Sequence, residues 1–290
     1  MIPRKTRTKL IGLGLAISCA LSASMIAPAR ADNKAQEVIK QVRAAIGGDS
    51  KLDSIASLEM SGKLTRSLGG KSVTSDLTLS VLLPDKFKRV EVASGGAVEY
   101  TRTVAMDGDE GWVDLSSPNG FGPKGAYMKS AAGKGNETDA QKAQVDAVRV
   151  DFARLLIGLL LAAPSAYPVE FKHAGEAQMD KTQVDLLDAT GPGQFAVRLF
   201  IDKQVHHPVL MTYDAPARTG AAAGGNQGDK AAAKPELQKV QVLLADYRPE
   251  DGILLPHQIT RAAAGQTFED LLIAKYKINP SLKPQSFKKK

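Results

Sequence analysis

Ala245-Asp246-Tyr247-Arg248-Pro249-Glu250-Asp251-Gly252-Ile253-Leu254-Leu255-Pro256-His257 is the stretch that decides the fold. It reads as strand, tight turn, strand, with Asp251-Gly252 at the reversal. The run from Ile273 to Phe287 adds a further strand, then Ile278-Asn279-Pro280 and a short tail. This is the closing meander of a curved antiparallel sheet, and such a sheet holds something apolar on one face. No catalytic constellation elsewhere in the chain competes with that reading.

Working outward, the same alternation recurs. From Leu58 the apolar residues fall on even numbers (Leu58, Met60, Leu64, Leu68), and in the next run on odd ones (Val73, Leu77, Leu79, Val81, Leu83). Period two with one wet face marks an antiparallel strand. Gly69-Gly70, Pro84-Asp85, Gly95-Gly96 and Asp107-Gly108 supply turns, so five strands form a meander ending near Trp112 and Leu115. Later strands are expected over 169–173, 178–187, 197–202, 209–214, 237–247, 255–261 and 267–278.

Two helices interrupt the strands. Val38, Ile39, Val42 and Ile46 recur at helical spacing over 33–46, and Gly47-Gly48 stops that helix. A longer helix is expected over 137–162, where Val145, Val148, Phe152, Leu155, Leu156, Leu159 and Leu160 make one side and Pro164 follows the end. Its second half is apolar all round, so it belongs against the sheet. Residues 116–135 and 215–235, rich in Gly, Ala and Lys, read as flexible inserts in a single domain over 32–290.

The N-terminus sets an expected compartment. Arg4, Lys5, Arg7 and Lys9 precede an apolar run from Leu10 to Ile26, and Ala29-Arg30-Ala31 offers small residues to a signal peptidase. Residues 1–31 therefore read as a signal peptide cleaved before Asp32, and the protein as periplasmic. A retained anchor is the alternative, though Ser18, Cys19, Ser22 and Ser24 interrupt the run. Lipid attachment at Cys19 is a minority reading, because Ala16-Ile17-Ser18 lacks the leading Leu of a lipobox. Cys19 is the single cysteine, so a chain starting at Asp32 carries no disulfide or thiolate chemistry. The formal charge is +7, five basic residues precede Asp32, and 7 − 5 leaves +2 for that chain. Three of its positive charges are Lys288 to Lys290 at the tip. That is no concentrated basic patch, which argues against nucleic acid as a partner.

Catalytic and metal motifs are incomplete. His206 and His207 would point to opposite faces of a strand, and Pro208 makes solvated turn histidines the simpler reading. Asp107-Gly108-Asp109-Glu110-Gly111 gathers acids as a calcium loop does but lacks the later Glu. Gly133-Lys134-Gly135 lacks P-loop spacing, and G-x-S-x-G is absent. No cofactor or metal is implied. Two arginines stand out: Arg66 shares the parity of Met60 and Leu64, and Arg102 that of Val104 and Met106. Either each snorkels to water from a strand end, or each points inward to an anionic headgroup or a lid carbonyl. Trp112 reads as core packing or as an aromatic on the rim of a lipid pocket.

Taken in order, several of these features resemble the superfamily of periplasmic lipoprotein carriers and receptors of the LolA/LolB type. They are the Gly-Gly-ended first helix, Leu83-Pro84-Asp85-Lys86-Phe87-Lys88-Arg89, Asp107-Gly108 with Gly111-Trp112, and the long helix with Leu155-Leu156. Leu199 to Lys203 with Pro208-Val209, Asp246 to His257, Asn279-Pro280 and Phe287 complete the set, which spans most of the chain. The resemblance implies an α+β fold: an incomplete antiparallel barrel whose open, concave side is covered by helices. It also implies a monomeric carrier that holds lipid or lipoprotein acyl chains without covalent chemistry and meets a membrane-bound donor or acceptor protein. Its apolar cavity would be lined by Leu77, Leu79, Val81, Val104, Trp112, Phe152, Leu156, Leu159, Leu160, Leu199 and Met211, with Arg66 and Arg102 as inward arginines. The helix over 137–162 would be the lid. A regulatory binding module of the RseB/MucB type and a hydrolase with an unrecognised site are the alternative functions.

Overall fold

The computed structural model describes residues 28–68, 71–94, 99–117, 137–164, 167–216 and 236–289. Most of the expected signal peptide and most of both inserts lie outside them. Helix α1 (Pro28–Ile46) and the short α2 (Asp49–Asp53) lead into five strands: β1 (Ser57–Leu68), β2 (Lys71–Leu82), β3 (Lys86–Ala93), β4 (Tyr100–Asp107) and β5 (Glu110–Ser116). Helix α3 (Glu137–Leu160) follows. Seven more strands complete the chain: β6 (Glu170–Met179), β7 (Thr182–Gly191), β8 (Phe195–Asp202), β9 (Pro208–Pro216), β10 (Leu237–Glu250), β11 (Ile253–Ala263) and β12 (Gln266–Ile278).

All twelve strands belong to one antiparallel sheet in the order β5-β4-β3-β2-β1-β12-β11-β10-β9-β8-β7-β6. Each meander thus runs outward from a central seam, where β1 pairs β12, to an edge strand, β5 or β6. The two edges are not paired with each other, so the sheet is curved but open. Helix α3 is the connection from one edge strand to the other, which carries it across the opening.

Residues Ala245 to His257 form the turn end of the β10–β11 hairpin. Asp251 and Gly252 both take positive φ (50° and 79°), the backbone that a two-residue hairpin with the native strand twist needs. The seam is closed at the other end of β12 by Asn279. Its Oδ1 accepts from the backbone N–H of Ala56 (2.7 Å) and Ser57 (3.2 Å), and its Nδ2 donates to Ser54 O (3.0 Å).

Three expectations are corrected. The break expected between strands 169–173 and 178–187 is absent: β6 runs through it, and Gly175 (φ 118°) sits in a bulge where the register with β7 shifts. A glycine inside a strand pattern marks such a bulge as readily as a turn. The reversal comes instead at Asp180 and Lys181, just after Met179. His207 is not a solvated turn residue, because its ring stacks on Tyr247 with centroids 3.9 Å apart. Burial pushes its pKa down. The inserts also start later than expected, since Ser116 still belongs to β5 and Ala215 and Pro216 to β9.

Candidate functional site

Directly paired residues on neighbouring antiparallel strands face the same side, so the register identifies the concave surface. Met60 pairs Leu79, Leu58 pairs Val81, and Val81 pairs Phe87. Leu199 pairs Met211 on the other half. These side chains, with Val104, form one buried apolar cluster with Phe152, Leu156, Leu159 and Leu160 of α3 and with Val38, Val42 and Ile46 of α1. Phe87 and Phe152 meet at a ring-centroid distance of 5.6 Å. Nine of the eleven residues expected to line a cavity are therefore brought together, four from the helix and five from the sheet. Leu77 is buried next to Leu79's row, opposite Gly62, but outside that cluster. In this conformation α3 itself occupies the concavity.

Trp112 is not brought together with them. It pairs Ala105, whereas Val104 pairs Val113 and Met106 pairs Gly111. Val113 and Gly111 therefore face α3, while Trp112 faces the opposite, convex side. There its indole N–H donates to Phe287 O at 2.9 Å, anchoring the C-terminal 3₁₀ turn Pro284–Phe287. The neighbouring Gly111 faces α3 so closely that a Cβ there would lie 2.9 Å from Val145 Cγ2. The acidic turn between β4 and β5 is used for helix docking: Asp109 accepts from Arg149 of α3 at 2.8 Å, and Asp107 pairs with Lys86.

Arg66 and Arg102 do point inward, to buried glutamates of the sheet. Arg66 Nε donates to Glu269 Oε1 at 2.8 Å and its Nη2 to Glu91 Oε1 at 2.9 Å. Arg102 reaches Glu91 at 3.4 Å, and Arg261 reaches Glu269 at 3.4 Å. Arg89 Nε lies 2.7 Å from Glu91 Oε1 but outside hydrogen-bond geometry. The result is a cross-strand row, Arg102–Glu91–Arg66–Glu269–Arg261, with Arg89 beside it. Ser75 is the small inward residue on β2 over which Arg66 reaches β3.

The electrostatics follow from burial and charge. Burial alone would raise Glu91, which has a fully buried side chain, but Arg89 and Arg66 hold it below the ordinary carboxylate range. Glu269 is likewise pushed up by burial and brought well below that range by Arg261, Arg89 and Arg66. Burial lowers Arg89, yet an arginine stays protonated here. Arg154 of α3 lies near the row, its Cζ 3.6 Å from the centroid of the Tyr213 ring. Of this set the sequence reading names only Arg66 and Arg102. Glu91, Arg89, Arg261 and Glu269 carry the same signal, an inward parity shared with Phe87, Ile259 and Ile273.

A cleft of about 700 Å³ opens on the same side, between α1, the end of α3 and β6. Ile39, Val169 and Phe171 give it apolar walls, and Lys40 and Arg43 line it with charge. Arg43 pairs with Asp49 at 2.5 Å and with Asp53, and it donates to Leu160 O at 3.5 Å. It thereby satisfies one of the carbonyls that a helix end leaves without a partner.

No protein-family model and no curated protein matches the sequence. Solved structures do match. An outer-membrane lipoprotein-sorting protein domain from Vibrio parahaemolyticus, so described, is 13% identical and covers 88% of this chain and 97% of its own, at a TM-score of 0.47. The MucA/MucB complex from Pseudomonas aeruginosa matches at 10% identity, covering 86% of this chain and 100% of its own, but its TM-score of 0.23 is too low to inform this chain. A LolA superfamily protein from Nitrosomonas europaea is 12% identical, with a TM-score of 0.50 over 88% of this chain and 97% of its own. At this identity the likeness is one of fold: the chain is a distant structural match to a protein of the LolA superfamily.

Proposed function

We propose that the chain is an exported, monomeric periplasmic carrier that holds the acyl chains of a lipid or lipoprotein between α3 and the concave face of the sheet, receiving and delivering them at membrane-bound partners. In this reading residues 1–31 are removed on export, and the rest acts as one domain without catalysis. One observation carries the proposal. An open twelve-stranded sheet presents a large apolar cluster on its concave face, beside the charged row, and the helix that covers it is the link between the two edge strands.

Physically, lid and cargo compete for one surface. Each buried methylene contributes about 0.8 kcal/mol, so an acyl chain can replace the contacts of Phe152, Leu156, Leu159 and Leu160 at small net cost. Displacing α3 then both opens the site and offsets its own loss. Such a lid sets the rate of loading and release.

Gly111 and Val145 supply the test. A Cβ at Gly111 lies 3.4 Å from Val145 Cβ, close to the roughly 3.5–4.5 Å span of a disulfide. In the chain from Asp32, which carries no other cysteine, oxidised G111C/V145C pins α3 to β5. Loading with the fluorescent fatty acid cis-parinarate is expected to fall at least about tenfold on oxidation, equivalent to about 1.4 kcal/mol, and to return on reduction. Equal loading in both states contradicts a gating role for α3.

A further inference from the structure

We propose that the arginine set on the concave face is a headgroup site, so that the cargo is an anionic amphiphile ending in a carboxylate or a phosphate. This rests on the carrier reading and specifies its ligand. The row holds four guanidinium groups (Arg66, Arg89, Arg102, Arg261) and two carboxylates (Glu91, Glu269), so 4 − 2 leaves a surplus of two positive charges. Arg154 of α3 adds a guanidinium that stacks on the Tyr213 ring and, among the described residues, pairs with one carboxylate, the half-exposed Asp151 at 3.4 Å. Its Nε is buried without a hydrogen-bond partner, as is that of Arg89.

Buried charge is costly unless it is matched, and a sheet that needed only internal pairing would match arginines to glutamates one for one. The surplus is also unevenly held. Arg66 is committed to both carboxylates, whereas Arg102 and Arg261, at the two ends of the row, touch one oxygen each at 3.4 Å. They keep N–H groups free in the planar fork that binds carboxylate and phosphate oxygens in pairs. Position supports an amphiphile rather than a bare ion. Arg89 is two residues from Phe87 and Arg261 two from Ile259 on the same face, so the charged set runs straight into the apolar surface. A head held there lays its tail along the contacts that α3 makes in the closed state, and Arg154 places the lid in touch with the same charge.

The chain from Asp32 is titrated with oleate, oleyl phosphate and oleyl alcohol, which share one tail and differ in the head, and with inorganic phosphate and acetate alone. Oleate and oleyl phosphate are expected to bind at least about tenfold tighter than the alcohol, as a charge-assisted pair contributes. The R102Q/R261Q variant is expected to erase that preference, leaving the alcohol's affinity within about twofold, the spread of non-interacting sites. Should that variant fail to fold, Arg154→Gln, on the helix and outside the row, is expected to reduce the same preference. Equal affinity for oleate and oleyl alcohol overturns the headgroup site while leaving the carrier standing. Phosphate or acetate binding as tightly as the oleyl compounds overturns the amphiphile in favour of a free anion. Failure of all three oleyl compounds to bind contradicts the carrier itself.

Discussion

Glu269→Ala is expected to lower stability by about 3–5 kcal/mol, the loss seen when one partner of a buried ion pair is removed. The substitution leaves Arg66, Arg261 and Arg89 facing one another across β1, β11 and β3 with a single carboxylate, Glu91, between them. Domains of ordinary stability keep only about 5–15 kcal/mol in total, so the variant should unfold at a much lower urea concentration. A midpoint unchanged from the parent would mean that the row is not a buried network. The same groups set a pH dependence. Burial would raise Glu269 and Glu91, but the arginines hold both below the ordinary range. A carboxyl with a depressed folded pKa stabilises the protein fully above its unfolded value, about 4.3, and loses that contribution as pH falls below it. The urea midpoint should therefore drop progressively as pH falls below about 5, down through the depressed folded values. Glu269→Gln should flatten that drop, because one of the two linked protons is gone.

The second large effect is expected at Gly62→Ala. Gly62 lies at the seam where β1 meets β12 and where the register shifts between Ser61 and Gly62. A Cβ there would stand 2.0 Å from Leu272 O and 2.9 Å from Ile273 Cα. Both are backbone atoms, so no side-chain rotation relieves the clash, and one of the two central strands must move. The expected cost is about 3 kcal/mol, the upper end of overpacking penalties. Amide exchange in β1 and β12 should rise ahead of that in the outer strands. A loss under about 1 kcal/mol, typical of a mild substitution, would show that the seam is more yielding than its geometry implies.

These two sites mark what could and could not be read from the chain. Alternation identified the strands because one face of most of them is wet, and parity singled out Arg66 and Arg102 while leaving open whether they point inward or snorkel to water. Their partners went unread because an acid or a base in a strand is ordinarily counted toward the solvent face, although Glu91 keeps the parity of Phe87 and Glu269 that of Ile273. The seam was illegible for a different reason. Met60 pairs Tyr276 across more than two hundred residues, and alternation within a strand carries no information about its neighbour. Gly175 misled because a bulge and a turn share the same residue. Trp112 needed the β4–β5 register: one residue of shift moves it between a cavity and the convex face, and the register puts it on the convex face against Phe287. The apolar residues of the long helix were the most readable part of the candidate site, since Phe152, Leu156, Leu159 and Leu160 recur at helical spacing and all reach the sheet.

Native mass spectrometry of the chain from Asp32, purified from the periplasm and followed by organic extraction, tests the carrier function most directly. The expected result is a non-covalent mass increment that extraction identifies as a lipid or an acylated peptide. A clean mass with nothing bound, unchanged when lipids are offered, would contradict it and leave the concave face as no more than the protein's core.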